Sequence, residues 1–219
     1  MDDLSRYERA FGSAYPDYGD ARYSEIKSLT DVYGRGEDLL SVIGREDFKR
    51  FAELLKPIIA IKNYKSQTPF PEDVRAVMVN VIELKRCEIG RDALSQRPGQ
   101  LFGALIGIQG FQLPTVSAVF HFCHPRNFPI VDRNVESACA ILKGRNPSDF
   151  SDVEGPKLPA TTTTVKNKLA KYRLFIAFLD KVIAVQRQGY GGDPDYRFID
   201  KALMVLGVEG LRRKVESDK

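Results

Sequence analysis

The sequence predicts an all-α protein. Apolar residues recur at spacings of three and four along much of the chain, which is the helical period. No two segments alternate apolar and polar residues as paired strands do. With 219 residues, 43% of them hydrophobic, the chain is long enough to bury one sizeable core or two small lobes that share one.

The first part of the chain predicts short helices. Residues 1–19 are rich in Tyr, Asp, Gly and Ser with little periodicity, so we expect a loosely ordered arm. Between Tyr23 and Leu55, helical spacing is broken at Gly34–Gly36 and Gly44, which predicts short helices joined by tight turns. Pro69–Asp73 supplies the proline and acids of a first turn, so another helix should begin there and end at Gly90.

The second part predicts longer helices at five places. Their expected limits are approximately 91–106, 113–124, 133–142, 165–187 and 195–206. Residues 144–163 lack periodicity and form the longest irregular connection, a kind of loop that is often functional.

Composition limits the class of protein. The chain has no run of eighteen apolar residues and no secretory signal, so we expect a cytoplasmic protein without a membrane segment. The chain has an odd number of cysteines, and they are widely spaced: Cys87, Cys123 and Cys139. This predicts reduced thiols and excludes a metal or iron–sulfur site that needs four cysteines. The net charge of +4 suits a polyanionic partner but is common in other proteins.

The stretch His121-Phe122-Cys123-His124 contains side chains that bind zinc. No carboxylate or fourth ligand lies at a familiar spacing, and Cys123 is more simply a small buried residue. We therefore predict no metal site.

Residues 105–120 predict two helices joined by a tight turn that needs Gly110. Backbone N–H groups of Leu113, Thr115 and Val116 would point out of the start of the second helix. A glycine turn beside a helix start can hold a phosphate without a charged side chain. An ordinary helix–turn–helix corner has the same pattern, so this stretch alone leaves both interpretations open.

Asp132 lies between the extended segment Pro129-Ile130-Val131 and the next predicted helix. That is the position of an N-cap aspartate, and in isolation the pattern predicts a cap.

The hairpin and the aspartate together resemble the helix-hairpin-helix DNA glycosylases, the superfamily of endonuclease III and the alkyladenine glycosylases. There the hairpin reads roughly Leu-Pro-Gly-Val-Gly, and an aspartate opens the next helix in a context like Pro-Val-Asp-Thr-His-Val. Here Ile108–Gln112 and Pro129–Val135 fill these places. The resemblance is specific over about Leu101–Leu142 and only topological elsewhere.

This resemblance implies a two-lobed helical bundle over residues 20–219, with an active-site cleft between the lobes. The helix-hairpin-helix motif would span about 93–124 and the aspartate segment 125–143. Asp132 would be catalytic, stabilising the positively charged sugar and orienting the attacking water. His124 would contact a phosphate or the leaving base. The expected DNA contacts are Gln109, Gly110, Phe111, Gln112, Thr115, Arg126 and Arg133.

Two departures from the family refine the expected activity. Gln109 and Gln112 replace the usual Pro and second Gly, so a left-handed backbone at Gln112 would be costly. The position of the strand-cleaving lysine falls on Pro114, which predicts hydrolysis of the glycosidic bond without strand cleavage. We expect no cofactor.

The expected partner is double-stranded DNA that contains a damaged or modified base, bound by a monomer. The sequence does not indicate which base. Other basic residues outside the motif are also candidate phosphate contacts, although a solvated surface position is the simpler interpretation of each. They include Lys85, Arg86, Arg91 and the group Lys166, Lys168, Lys171 and Arg173. A non-catalytic DNA-binding module and a helical protein–protein adaptor remain alternatives.

Overall fold

A computed structural model describes residues 3–16, 19–32, 50, 71–90, 93–108, 111–190 and 192–217. Within these ranges all regular structure is helical, which confirms the all-α class. The short helices expected between 33 and 55 lie almost wholly outside the described residues. The α-helices are α1 Ser5–Ala14, α2 Asp20–Val32, α3 Pro71–Arg86, α4 Arg97–Ile106, α5 Leu113–Cys123, α6 Arg133–Arg145, α7 Val165–Tyr190 and α8 Tyr196–Ser217.

The chain divides into two compact units. A terminal unit combines Met1–Gly19 with Pro125–Lys219, and a central unit consists of Asp20–His124. Helices α1, α6, α7 and α8 therefore belong to the terminal unit, and α2 to α5 belong to the central unit.

The terminal unit is built around α8, which packs against α6 and α1. Asn134 on α6 contacts Met204 and Gly207 on α8, and Ile141 contacts Gly210. Contacts thus advance along both helices together, so α6 and α8 run parallel. The predicted end of the last helix at Leu206 was wrong, because α8 continues through both glycines, where the missing side chains admit α6.

The prediction of a loosely ordered arm over residues 1–19 is wrong, because this segment contains helix α1. Leu4, Tyr7 and Phe11 are buried, and α1 packs on α8. The Leu4 N–H donates to Gln186 Oε1 at 3.2 Å, and Lys201 Nζ pairs with Glu8 Oε1 at 3.0 Å. Apolar burial and an ion pair therefore fix this segment on the terminal unit.

The central unit is held together by α3, which packs on α4 and α5. Lys85 Nζ lies 2.6 Å from Asp31 Oδ1 and 2.9 Å from the carbonyl oxygen of Cys123, so it joins three helices. Helix α3 ends at Arg86, before the predicted Gly90. In place of one helix from about Arg91, a short 3-10 turn at Ala93–Ser95 precedes α4.

Among the residues that the structure describes, no helix is both long enough and apolar enough to cross a membrane.

Candidate active site around Asp132

Asp132 caps the start of α6, as the sequence pattern predicts. Its Oδ1 accepts a hydrogen bond from the Val135 N–H at 2.9 Å, and its carbonyl oxygen accepts one from the Glu136 N–H at 2.9 Å. The residue is half-buried, so it is not closed off from solvent. A helix start favours negative charge, which suits a carboxylate that must act in ionised form.

The segment before Asp132 is anchored on α7. The buried Tyr172 hydroxyl donates to the carbonyl oxygen of Pro129 at 2.9 Å. Its ring stacks on Phe128 with centroids 6.4 Å apart, and Phe128, Pro129 and Val131 are buried. The extended approach to α6 is therefore fixed by packing and by a buried hydrogen bond, which limits the positions open to the Asp132 carboxylate.

A second carboxyl group, Asp200 on α8, interacts electrostatically with Asp132. Asp200 is 7% exposed, and its Oδ2 pairs with Arg197 Nη1 at 2.9 Å. Burial raises the pKa of Asp200 to about 6, with the negative charge of Asp132 adding to the rise and Arg197 opposing it. Sequence reasoning missed this residue. The signal was an aspartate placed among the buried apolar positions Ile199, Ala202 and Leu203.

Arg126 and Arg133 are both exposed, as a phosphate contact requires. Arg126 lies in the turn that follows α5, and Arg133 is the first residue of α6, next to Asp132. Both belong to the terminal unit with Asp132.

The segment predicted to form the hairpin, Ile108–Gln112, is described only in part, because Gln109 and Gly110 lie outside the described residues. The Phe111 side chain is 5% exposed, and its N–H donates to the Ile108 carbonyl oxygen at 3.0 Å. The Phe111 ring therefore packs in the core and is not available to DNA, and the expected contact of this residue with DNA stays a prediction for its backbone. Gln112 is half-buried with an extended backbone (φ −122°), so the expected left-handed strain at this residue is absent.

The start of α5 is also less open than expected. The Val116 N–H donates to the Gln112 carbonyl oxygen at 3.0 Å and is not free for a phosphate. Thr115 is 1% exposed, and its hydroxyl has no hydrogen-bond partner among the described residues. The Thr115 hydroxyl is therefore too buried to reach a phosphate, and the DNA contact expected of Thr115, which concerns its backbone N–H, stays a prediction.

Thr115→Val should raise the free energy of unfolding by about 1 kcal/mol, because it removes a buried hydroxyl that makes no hydrogen bond. The matched control is Thr30→Val in the same unit, where the buried hydroxyl donates to the Ile26 carbonyl oxygen at 2.8 Å. That change should lower stability. Urea denaturation measures both, and equal losses in the two variants would show that Thr115 has a partner after all.

His124 is committed to the fold of the central unit. Its Nε2–H donates to the carbonyl oxygen of Leu84 at 2.7 Å. Burial lowers its pKa, as does the charge of Lys85, while the bond to Leu84 acts in the opposite direction, so the ring is neutral at neutral pH. The Nε2–H is thus already engaged, which disfavours the expected contact with a phosphate or leaving base through this atom.

The remaining potential zinc ligands, His121 and Cys123, lie in the interior of the central unit. His121 is buried with its Nε2 2.8 Å from the Tyr23 hydroxyl. Cys123 is buried, and burial raises the pKa of its thiol to about 12. Over the ranges that the structure describes, no three His, Cys, Asp or Glu residues form a group that could hold a metal ion.

The other basic candidates differ from one another. Lys85 is paired with Asp31, and Arg91 lies outside the described residues. Lys168 is 5% exposed, so the basic group at the start of α7 is not uniformly solvated, although Lys166 and Arg173 are exposed.

The predicted site residues divide between the units. Asp132, Arg126 and Arg133 belong to the terminal unit, whereas the hairpin residues and His124 belong to the central unit. Comparison of this chain with protein-family models, curated proteins and solved structures finds no match.

Proposed function

We propose that this chain is a monofunctional DNA glycosylase, which flips a damaged or modified base out of double-stranded DNA and hydrolyses its N-glycosidic bond. The observation that carries the proposal is Asp132, a half-buried carboxylate that caps α6 after an anchored extended segment. The helix-hairpin-helix glycosylases, which this stretch resembles, have their aspartate in the same sequence context. The product is free base and an abasic site.

The chemistry needs one carboxylate close to the sugar. As the bond from C1′ to the base nitrogen breaks, its electron pair leaves with the base, which takes up a proton from solvent. Positive charge develops on C1′ and the ring oxygen, and the Asp132 carboxylate stabilises it. A water oxygen then bonds to C1′ and releases its proton, first to Asp132 and then to solvent. Water is the only co-reactant.

The absence of strand cleavage follows from Pro114. This residue lies in the first turn of α5, where bifunctional members of the resembled family carry a lysine. An amine there attacks C1′ to form a Schiff base, whereas proline within the chain has no amine to offer. We therefore propose release of the base with both strands left intact.

Exposed arginines favour DNA as the partner. Arg126 and Arg133 are available to phosphates, and contacts of this kind position a protein on the duplex without reading its sequence. Flipping costs a few kcal/mol, and damage or mispairing lowers that cost. The proposal takes the protein as a cytoplasmic monomer that needs no cofactor.

A panel of duplex oligonucleotides tests this function. Each duplex carries one modified base, chosen from oxidised purines, alkylated bases, deaminated or mismatched pyrimidines and bulky modified bases. After incubation with the protein, we expect at least one duplex to be cut only when it is heated in alkali, which reveals an abasic site. Cutting without alkali would contradict the assignment of Pro114.

The alternatives predict different results in the same panel. Salt-dependent binding to duplex DNA with no release of any base would indicate a DNA-binding module in which Asp132 is only a cap. No salt-dependent affinity for DNA would indicate a protein–protein adaptor. Either result would overturn the glycosylase proposal.

A further inference from the structure

The long connection between α6 and α7, residues 146–164, is attached to both helices. The Phe150 ring is fully buried and stacks on Phe178 of α7 with centroids 4.8 Å apart. Lys143, in the last turn of α6, donates from its Nζ to the carbonyl oxygen of Val153. The first part of the connection is therefore held beside the end of α6.

The second part of the connection returns to the start of α6. The Leu158 N–H donates to Glu136 Oε1 at 3.0 Å. Glu136 lies in the first turn of α6, and its own N–H donates to the carbonyl oxygen of Asp132 at 2.9 Å. Between Lys143 and Glu136 the connection thus runs back along about 10 Å of α6. Leu158 is separated from Asp132 by no more than one glutamate side chain and one helical turn.

The segment held at this place is stiff and partly apolar. Pro156 is buried, whereas Leu158 and Pro159 are half-buried. Proline fixes its own φ and restricts the residue before it, so few backbone conformations are open to Leu158. A stiff apolar surface that is partly open to solvent is suited to contact with a flat apolar face, such as that of a nucleobase.

We propose that Leu158 and Pro159 form a wall of the site that receives the flipped base, and that Glu136 is the positioning residue that holds this wall beside Asp132. This inference rests on the proposed glycosylase function and extends it to selectivity. A base outside the stack is held partly by apolar side chains on its faces. Since the side chains of leucine and proline carry no hydrogen-bonding group, this wall distinguishes bases by their shape.

Hydrogen exchange of the Leu158 amide tests the attachment without any need for activity. Glu136→Ala removes the acceptor, so this amide should exchange about tenfold faster than in wild type. Glu136→Gln keeps an oxygen that can accept the same hydrogen bond, and it should preserve most of the protection. The Asn146 amide, which donates to the Leu142 carbonyl oxygen after the end of α6, is the internal control and should not change. Equal exchange of the Leu158 amide in wild type and Glu136→Ala would overturn the positioning role.

The selectivity of base release tests the wall. Under single turnover with the duplexes of the panel, Leu158→Ala should release the base that wild type prefers about tenfold more slowly. It should lose less on bulkier bases, for which the shorter side chain makes room. Unchanged rates, or an equal loss on every base, would overturn the proposal, because a purely structural role does not depend on the shape of the base.

Val153→Ala is the matched control for this measurement. Val153 is a half-buried aliphatic residue of the same connection, but it is attached by Lys143 at the opposite end of α6. Its substitution should leave the rates and the ranking of bases as in wild type. If Val153→Ala changes the ranking as Leu158→Ala does, the effect belongs to the connection as a whole and the wall is wrong.

The Glu136 variants connect the two measurements. Glu136→Ala should change the ranking of bases in the same direction as Leu158→Ala, whereas Glu136→Gln should behave as wild type. If Glu136→Gln is as impaired as Glu136→Ala, base release depends on the charge of Glu136 and not on its bond to Leu158, and the positioning role is wrong.

The two failures are distinguishable. If wild type releases base and Leu158→Ala keeps its rates and ranking, the wall is wrong and the glycosylase function stands. If wild type releases no base from any duplex, the glycosylase function is wrong and the wall fails with it, while hydrogen exchange still measures the attachment of Leu158. Should Leu158→Ala fail to fold, as circular dichroism would show, the selectivity of Glu136→Ala and Glu136→Gln decides the proposal.

Discussion

Asp132→Asn should lower the rate of base release by on the order of 10²- to 10⁴-fold while leaving the fold intact. The amide oxygen can still accept the hydrogen bond from the Val135 N–H, and asparagine is as good an N-cap as aspartate. Only the negative charge is lost, together with the ability to take a proton from water. The measurement is the single-turnover rate of abasic-site formation, with thermal unfolding as the check on folding.

Asp195→Asn is the matched control for that experiment. Asp195 caps α8, and its Oδ1 accepts from the Phe198 N–H at 2.8 Å, so both substitutions make the same chemical change at the same kind of position. Asp195→Asn should leave base release unchanged. If Asp132→Asn releases the base as fast as wild type, Asp132 is a structural cap and its catalytic assignment is wrong.

Gly207→Ala should lower the free energy of unfolding by about 1–3 kcal/mol, even though alanine is the better helix former. A methyl group at this position would overlap the carbonyl oxygen of Asn134 and lie 2.5 Å from its carbonyl carbon. Backbone atoms cannot rotate away as a side chain can, so α6 and α8 must separate. Denaturation in urea measures the loss.

Two other glycines calibrate this result. A methyl group at Gly144, within α6, meets nothing within 4 Å, so Gly144→Ala should stabilise the protein by up to about 1 kcal/mol. A methyl group at Gly210 meets only the side chains of Ile141 and Ser137, which can shift. Gly210→Ala should therefore lower the free energy of unfolding less than Gly207→Ala does. Equal effects at Gly207 and Gly144 would contradict the close packing of α6 on α8.

The sequence predicts the helices around Asp132 well because their signals are local. Pro114 marks the first turn of α5, and Asp132 marks the start of α6. A cap and a first-turn proline act through neighbouring backbone atoms, so they can be recognised without knowledge of the tertiary structure.

The errors arise where a residue acts through a distant part of the chain. Gly207 resembles a helix end, but its role is to admit the backbone of Asn134. Leu4, Tyr7 and Phe11 have helical spacing, yet α1 is fixed by α8, nearly the whole chain away. Thr115 is buried and Asp200 pairs with Arg197 because of tertiary packing, which the periodicity of apolar residues in the sequence does not reveal.

The division of the chain also affects the order in which it folds. The central unit is continuous, so it has all its residues once position 124 has left the ribosome. The terminal unit must wait, because α1 packs against α8, which follows much later in the chain. Until then the buried face of α1 has no native partner and is open to solvent, chaperones or other nascent chains. Because α6 also packs on α8, Asp132 acquires its native environment only after α8 has been synthesised.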